Sequence, residues 1–372
     1  MVVGVPKETA PTEQRVGLVP ELVPKLTKAG LEVVVQSGAG LSAGFLDAAY
    51  VEKGARLEAE VFDKADIILK VQPPTIEEIT RMKEGSILIG FLQPYTNPTG
   101  IKALAAHKVT AFSMELMPRI TRAQAMDALS AMSTIAGYKA VLIAASHLPK
   151  FFPLLMTAAG TVTPARVLVI GAGVAGLQAI GTAKRLGAVV EAYDTRPAVK
   201  EQVESLGARF VELGLETEDA EDKGGYAKAQ SEEFYGKQQE MMSKHVMAAD
   251  VVIPTALVPG QRAPLLITAE MVRGMRPGSV IVDLAAEQGG NCAFTEPGRE
   301  IVRHGVMILG PINLPSTVPF HASEMYARTV TNYLLHLLKD GRLPLDLEDE
   351  LTRGPLVTHQ GEVLREGVKG KP

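Results

Sequence analysis

The sequence predicts an α/β protein with two doubly wound, mainly parallel sheets on either side of a cleft, the first domain being discontinuous. Short apolar runs rich in β-branched residues recur along the chain, and segments with helical spacing separate them. The 372 residues also exceed the size of one typical domain. We therefore expect a first domain at 1–130 and 320–372, and a second at 131–319.

The N-terminal third alternates strands and helices. Strands are predicted at 2–5, 31–35, 66–71, 86–90 and 109–112, and helices at 20–28, 76–82 and 99–107. A helix from near Ala123 to about Ser146 is expected to connect the domains. Helix 322–339 and the turn-rich tail 345–372 are expected to return to the first domain.

The second domain opens with RVLVIGAGVAGLQAIGTAKRLG at 166–187. An apolar strand leads into GxGxxG, formed by Gly171, Gly173 and Gly176, and a helix follows. The first glycine allows a tight turn, the second lets the backbone approach a pyrophosphate, and the third lets the helix lie close to the strand. The next apolar run ends at Asp194, whose carboxylate can accept both adenosine ribose hydroxyls. This pattern predicts a Rossmann-like site for NAD(H).

The remainder of the second domain continues the alternation. Six strands are predicted at 166–170, 188–193, 208–212, 250–253, 279–283 and 306–309. Segment 214–231 interrupts the rhythm, is acidic, and contains Gly225 and Tyr226. It is expected to be a lid over the site, with a solvated insertion as the alternative.

Composition and motifs exclude several classes of function. The net charge is −4 with no basic run, so no nucleic-acid partner is expected. Cys292 is the single cysteine, which excludes an internal disulfide and fits a reducing compartment; a buried thiol is favoured over a nucleophile. The histidines show no metal-ligand spacing, so no metal is expected. GxSxG at 40–44 is favoured as a glycine-rich loop rather than a nucleophile elbow. No signal peptide and no direct membrane insertion are expected.

A polar set precedes the connecting helix: Arg119, Gln124, Asp127 and Ser130. Helical spacing places Gln124 and Asp127 on one face, at the expected hinge between domains. A capped helix start with an exposed acid is the alternative interpretation.

Long segments of the chain resemble the alanine dehydrogenase and transhydrogenase family. They are KETAPTEQRVGLVPE, MELMPRITRAQAMDALS, MTAAGTVTPARVLVIGAGVAGLQAIGTAKRLGA and KEQVESLGARF, with KGGYAK at 223–228 and a QGGNC segment. The resemblance covers essentially the whole chain. Within the family, these segments are most similar to the soluble NAD(H)-binding subunits of proton-translocating NAD(P) transhydrogenases.

The resemblance implies roles for individual residues. Gln124 and Asp127, with Arg119 and Ser130, would hold and orient the nicotinamide end of NAD(H). The other nucleotide contacts that it implies are Ala172, Gly173 and Val174 at the pyrophosphate, Asp194, Thr195 and Arg196 around the adenosine ribose, Gly225 and Tyr226 in a mobile loop, and Gln238 and Leu257 elsewhere.

The chain departs from the family pattern at two places. Alanine dehydrogenases carry an acid–base histidine after the strand equivalent to 86–90, whereas this chain has Gln93, which cannot shuttle a proton. Arg15 and Lys70, which resemble the family's pyruvate-binding pair, are retained. In addition, Ser130 is followed by Ala131-Met132 where transhydrogenases usually continue with Ser-Gln.

The function implied by the resemblance is direct hydride transfer from NADH to NADP⁺ held on a partner subunit, coupled to proton translocation in the full complex. A homodimer, an NADP(H)-binding subunit and a membrane-spanning subunit are the implied partners. The chain would be cytoplasmic and peripheral to the inner (plasma) membrane through those subunits. The alternatives are a free NAD-dependent dehydrogenase of the alanine type and a redox-sensing NAD-binding module.

Overall fold

The computed structural model describes residues 1–213, 231–257, 262–339 and 341–365, and only the backbone of Glu232 and Tyr235. The strands of these ranges are β1 (Val2–Val5), β2 (Glu32–Gln36), β3 (Arg56–Glu58), β4 (Ile67–Leu69), β5 (Ile87–Gly90), β6 (Thr110–Ser113), β7 (Leu155–Thr157), β8 (Gly160–Val162), β9 (Arg166–Ile170), β10 (Val189–Tyr193), β11 (Arg209–Phe210), β12 (Val251–Pro254), β13 (Val280–Val282), β14 (Glu300–Arg303), β15 (Val306–Leu309), β16 (Leu356–His359) and β17 (Glu362–Val363).

The α-helices lie between these strands, and short 3₁₀ helices also occur there. They are α1 (Val23–Lys28), α2 (Asp47–Glu52), α3 (Ile76–Arg81), α4 (Pro98–Ala106), α5 (Ala128–His147), α6 (Val174–Arg185), α7 (Lys200–Ser205), α8 (Glu232–Ala248), α9 (Ala269–Gly274), α10 (Pro319–Leu337) and α11 (Glu350–Arg353). The chain forms two compact units, Met1–Met132 with Pro315–Pro372, and Ser133–Leu314.

The sheet of the first unit has the strand order β17-β16-β6-β5-β4-β1-β2-β3 in the described residues. Strands β1 to β6 pair in parallel, and most of their apolar residues, such as Ile68 and Leu88, are fully buried. The C-terminal tail does more than pack on this unit, because β16 extends the sheet by antiparallel pairing with β6. The sequence did not predict β3, β16 or β17.

The sheet of the second unit has the order β11-β10-β9-β12-β13-β15-β14. The six predicted strands are parallel, and the chain reverses direction across the sheet between β9 and β12, so the doubly wound prediction is confirmed. Strand β9 is buried on both faces: Val167 and Val169 face one apolar cluster, Leu168 and Ile170 the other. The antiparallel edge strand β14 and the hairpin β7–β8 were not predicted.

The connecting helix begins later than predicted. A 3₁₀ segment occupies Thr121–Met126, Asp127 is non-helical with φ −78° and ψ 86°, and α5 then starts at Ala128. The prediction of one continuous helix carrying Gln124 and Asp127 on a shared face is therefore wrong. The reason is that the Asp127 carboxylate accepts hydrogen bonds from the first turn of α5, a capping role that requires non-helical backbone.

Helix α5 is the one helix in the described ranges with the length and apolar composition that could span a membrane. In its most apolar window, 39% of the residues are buried inside the protein. Ala140, Val141 and Ala144 belong to the apolar core of the second unit.

Candidate functional site

The glycine loop of the second unit turns sharply at the carboxyl end of β9. Gly171 adopts φ +99°, which a residue with a side chain rarely adopts. A Cβ there would also lie 2.5 Å from Oγ1 of Thr255, the residue that follows β12. Thr255 clamps the loop, since its backbone N–H donates to the Ile170 carbonyl at 2.8 Å and its hydroxyl to the Gly171 carbonyl at 3.0 Å. Sequence reasoning missed Thr255, which no local motif marks.

The other two glycines set the start of helix α6. A Cβ on Gly176 would overlap the Gly171 carbonyl oxygen, so α6 lies close to the loop only because this position has no side chain. Gly173 occupies the N-cap position, and no side chain caps it. A Cβ on Gly173 would meet open space, its nearest neighbour being Nη2 of Arg196 at 4.0 Å. The first N–H groups of α6 and this open backbone fit the diphosphate of a dinucleotide.

Asp194 follows β10 and lies beside this loop. Its side chain is buried and accepts the Ala172 N–H at 2.7 Å and the Arg196 N–H at 2.8 Å. The Arg196 guanidinium adds Nε to Oδ1 at 2.9 Å and Nη2 to Oδ2 at 2.8 Å. The structure thus brings together the glycine loop, Asp194 and Arg196, and the carboxylate already has four donors.

Buried polar side chains continue the site beyond Asp194. Tyr193 and Gln238 are each 4% exposed. The Tyr193 hydroxyl and Oε1 of Gln238 have no hydrogen-bond partner within the portion of the chain that is described. Burial raises the pKa of Tyr193 to about 12. Thr195 and Leu257 are half-buried, and Leu257 follows β12. Gly225 and Tyr226 lie outside the described residues.

A loop after β13, in which Asp283, Asn291 and Cys292 are buried, supports the segment next to Thr255. The side chain of Asn291 accepts the Ala256 N–H at 3.0 Å and donates to the Ala256 carbonyl at 2.9 Å. Asp283 accepts from the backbone of Asn291 and Cys292 at 2.7 and 3.0 Å, and burial raises its pKa. Cys292 is 3% exposed, and burial raises its pKa to about 11, so the prediction of a buried thiol is confirmed.

The polar set of the first unit is split by the structure. Asp127 accepts the Ser130 N–H at 2.8 Å and the Ser130 hydroxyl at 2.6 Å, which caps α5. Gln124 is exposed on the preceding 3₁₀ segment, and Arg119 is half-buried. Met132 is one of the two residues at which the chain departs from the transhydrogenase pattern. Its sulfur accepts a hydrogen bond from Nη1 of Arg15 at 3.1 Å.

Arg15 and Lys70 are buried among carboxylates of the same unit. Arg15 forms a two-point ion pair with Glu13 at 2.7 and 2.6 Å. Burial alone would raise the pKa of Glu13, but the hydrogen bonds and charge of Arg15 outweigh it and lower the pKa to about 2. Lys70 is fully buried, with its Nζ 3.2 Å from Glu8 and 3.5 Å from Glu78. Both cations therefore lie within ion-pair distance of carboxyl groups of the same unit, although Lys70 Nζ donates no hydrogen bond within the described residues and burial raises the pKa of Glu8.

Gln93 lies where alanine dehydrogenases carry a histidine. It adopts φ +53°, is exposed, and donates its N–H to Glu115 at 2.6 Å. Burial raises the pKa of Glu115. In the described ranges, no group of three His, Cys, Asp or Glu side chains could hold a metal ion.

The strand order of the second unit and its glycine loop define a dinucleotide-binding α/β protein. The chain belongs to the alanine dehydrogenase/PNT family: the family model of the N-terminal domain matches residues 4–136, and that of the C-terminal domain matches 140–366. It is 49% identical to a subunit alpha polypeptide of the NAD(P) transhydrogenase of Rhodospirillum rubrum, over 100% of both chains.

Two further comparisons show whether the chain is more similar to transhydrogenases or to alanine dehydrogenases. A transhydrogenase structure from Sinorhizobium meliloti has a TM-score of 0.87 at 42% identity, covering 98% of this chain and 99% of that one. Alanine dehydrogenase of Mycolicibacterium smegmatis is 31% identical, over 99% of this chain and 96% of the relative. The chain is thus more similar to transhydrogenase alpha subunits than to alanine dehydrogenases, and its family implies nicotinamide nucleotide binding.

Proposed function

We propose that this chain is the NAD(H)-binding subunit of an NAD(P) transhydrogenase. The observation that carries the proposal is the site at the carboxyl end of β9. An uncapped helix N-terminus, an open Gly173 and a strand-end acid lie together there. This arrangement supports binding of a dinucleotide through its diphosphate and adenosine ribose. The named transhydrogenase relatives support the choice of reaction.

The chemistry asked of the protein is mainly positioning. A bound NADH supplies a hydride that passes to a second nicotinamide, NADP⁺ on a partner subunit. Such a transfer releases no proton at the reacting carbon, so it requires alignment rather than a general base. We assign this alignment to Arg119, Gln124, Asp127 and Ser130, which remain predictions at the level of individual residues.

The alternative is a self-contained alanine-type dehydrogenase, and two features oppose it. Gln93 has no titrating proton to offer a keto acid. Arg15 and Lys70 are retained, but each is buried against a carboxylate. A keto acid would have to displace Glu13 or Glu8 from a buried ion pair, and breaking such a pair is costly.

Selectivity for NAD(H) over NADP(H) follows from Asp194. A 2′-phosphate placed at this carboxylate would be repelled, while ribose hydroxyls would be accepted. Arg196 is the opposing feature, because a guanidinium could attract that phosphate. In the nucleotide-free protein that guanidinium is paired with Asp194, and we assign the selectivity to the carboxylate. Equal affinity for NADPH and NADH in equilibrium binding would contradict this assignment.

Partners are proposed from the relatives' names and from an exposed surface. The name "subunit alpha" implies that these relatives work with other subunits. We propose that such subunits supply the NADP(H) site and the membrane span. This chain would then be cytoplasmic and attached to the membrane only through them. Three apolar side chains are exposed at the hairpin β7–β8. Phe151 and Leu154, in the segment before β7, are 59% and 54% exposed, and Met156 in β7 is 82% exposed. Exposed apolar side chains of this kind are typical of a protein contact surface, and we propose a homodimer that uses it.

The proposed function is tested by mixing. The purified chain is incubated with NADH, an NADP⁺ analogue and an NADP(H)-binding transhydrogenase subunit, and reduction of the analogue is followed. We expect activity only when both proteins are present. NADH oxidation by the chain alone with pyruvate and ammonia, at an enzymatic rate, would instead establish the dehydrogenase. Tight NADH binding with neither reaction would favour a redox-sensing module.

A further inference from the structure

The acceptor capacity of Asp194 is fully used by the protein. A carboxylate offers about four lone-pair positions. Oδ1 accepts the Arg196 N–H and Nε at 2.8 and 2.9 Å, while Oδ2 accepts the Ala172 N–H and Arg196 Nη2 at 2.7 and 2.8 Å. A ribose diol needs two of these positions, one on each oxygen. It can therefore bind only if two of the present donors leave.

The four donors differ in how easily they can leave. Two of them are backbone N–H groups, which are held by the glycine loop and by the turn after β10. The other two are Nε and Nη2 of the Arg196 side chain, which bind one oxygen each. A guanidinium offers two parallel donors to a carboxylate, and this is also the pattern that the two hydroxyls of a cis-diol present. The side chain thus occupies the positions that the adenosine ribose requires.

The displaced guanidinium would not have far to go. A Cβ built on Gly173 would be 4.0 Å from Nη2 of Arg196, so the guanidinium already lies beside the open N-cap of α6. That N-cap is where the site fits a diphosphate. Separating the buried guanidinium from Asp194 would be costly, but a diphosphate next to it supplies a new charge-assisted partner.

We propose that the Arg196 guanidinium stands in for the ribose diol in the nucleotide-free protein, and that nucleotide binding moves it from Asp194 to the diphosphate. The inference rests on the proposed NAD(H) site and adds a specificity-determining residue to it. One arginine then makes the adenosine half of the site selective for ligands that carry phosphates. A nucleoside must displace the guanidinium from Asp194 without bringing an anionic group for it, whereas a nucleotide brings a diphosphate.

The test compares adenosine with ADP in the full chain, by calorimetry, for wild type and Arg196→Met. Loss of the competing side chain is expected to raise the affinity for adenosine about tenfold, which is on the order of one charge-assisted hydrogen bond. ADP should not tighten, because the variant also loses the partner of the diphosphate. 2′,3′-Dideoxyadenosine, which has no diol, should show no gain. Arg209→Met is the matched control, since Arg209 pairs with Glu191 at 2.9 Å on the same sheet and should leave both affinities unchanged.

Structural damage would lower the affinity for adenosine. A gain in that affinity therefore distinguishes competition of Arg196 with the ribose diol from a merely structural role of Arg196. Unchanged or weaker adenosine binding in the variant overturns the inference. Equal tightening of adenosine and ADP overturns the move to the diphosphate.

Should the variant fold poorly, the Nε–H resonance of Arg196 in the wild type is followed by NMR. It should shift on saturation with adenosine and shift differently with ADP, whereas an unmoved signal overturns the inference. Failure of the proposed function is a separate result, recognised because the wild-type chain then binds neither ADP nor NADH.

Discussion

Replacing Gly176 with alanine tests the packing that positions the dinucleotide loop. The new Cβ would overlap the Gly171 carbonyl oxygen and lie 2.8 Å from the Gly171 carbonyl carbon. Both are backbone atoms of a loop clamped by Thr255, so neither can rotate away. Helix α6 and the loop must therefore separate.

The magnitude follows from that overlap. Carbon atoms in contact prefer about 3.5–4.0 Å, so the contact with the carbonyl carbon alone requires an opening of roughly 0.7–1.2 Å, and the closer carbonyl oxygen requires more. Overpacking of this kind costs about 1–3 kcal/mol. Alanine recovers up to about 1 kcal/mol of helix propensity over glycine. Because the overlap is with backbone atoms, the cost lies at the upper end, and we expect Gly176→Ala to lower the free energy of unfolding by about 2 kcal/mol in sum. The variant should also bind NADH more weakly, because the N–H groups of α6 move.

The same helix supplies the control. Gly181 also lies in α6, but a Cβ there would meet only Leu206 Cδ2, at 3.9 Å. Gly181→Ala should therefore keep the propensity gain and be neutral or stabilising. Because the chain has no tryptophan, urea unfolding is followed by circular dichroism. Equal stability of the two alanine variants, or unchanged NADH affinity in Gly176→Ala, would refute the packing argument.

Three further outcomes are expected. Cys292, with its pKa raised to about 11, should resist alkylation at pH 8 in the folded chain and react once it is unfolded; rapid labelling of the native protein would contradict its burial. The folded pKa of Glu13, about 2 against an ordinary 4.5, contributes stability above pH 4.5 that is lost as pH falls toward 2. The stability advantage of wild type over Glu13→Gln should thus shrink by roughly 3 kcal/mol on acidification, and a pH-independent difference would contradict the ion pair with Arg15. Gln124→Asn should slow hydride transfer far more than it weakens NADH binding, because transfer geometry is strict; an unchanged rate would remove Gln124 from the site.

Much of the candidate site could be predicted because its signals are local. Strand β9 and the three glycines are adjacent in sequence, so an apolar run followed by GxGxxG spacing is visible within one chain segment. Asp194 was predicted for the same reason, since it ends the next strand. The hydrogen bonds from the Arg196 side chain to Asp194 were not predicted, because composition and spacing do not reveal which donors reach a carboxylate.

The polar set before α5 shows how a local pattern can mislead. Spacing alone placed Gln124 and Asp127 on one helical face. The Asp127 side chain instead competes for the N–H of Ser130, and that bond ends the 3₁₀ segment and starts a new helix. Whether an aspartate continues or caps a helix depends on side-chain geometry that periodicity does not contain.

The sequence by itself determined the α/β class, the parallel strands of both sheets other than β3, and the dinucleotide loop, because burial of apolar runs and the conformational freedom of glycine act over a few residues. Only the tertiary structure decided that the tail adds β16 to β6, that β14 lies at the edge of its sheet, and that Arg15 and Lys70 lie beside Glu13 and Glu8. Those features depend on which groups distant in sequence meet, and strand pairing and ion pairing are settled by the packed chain as a whole.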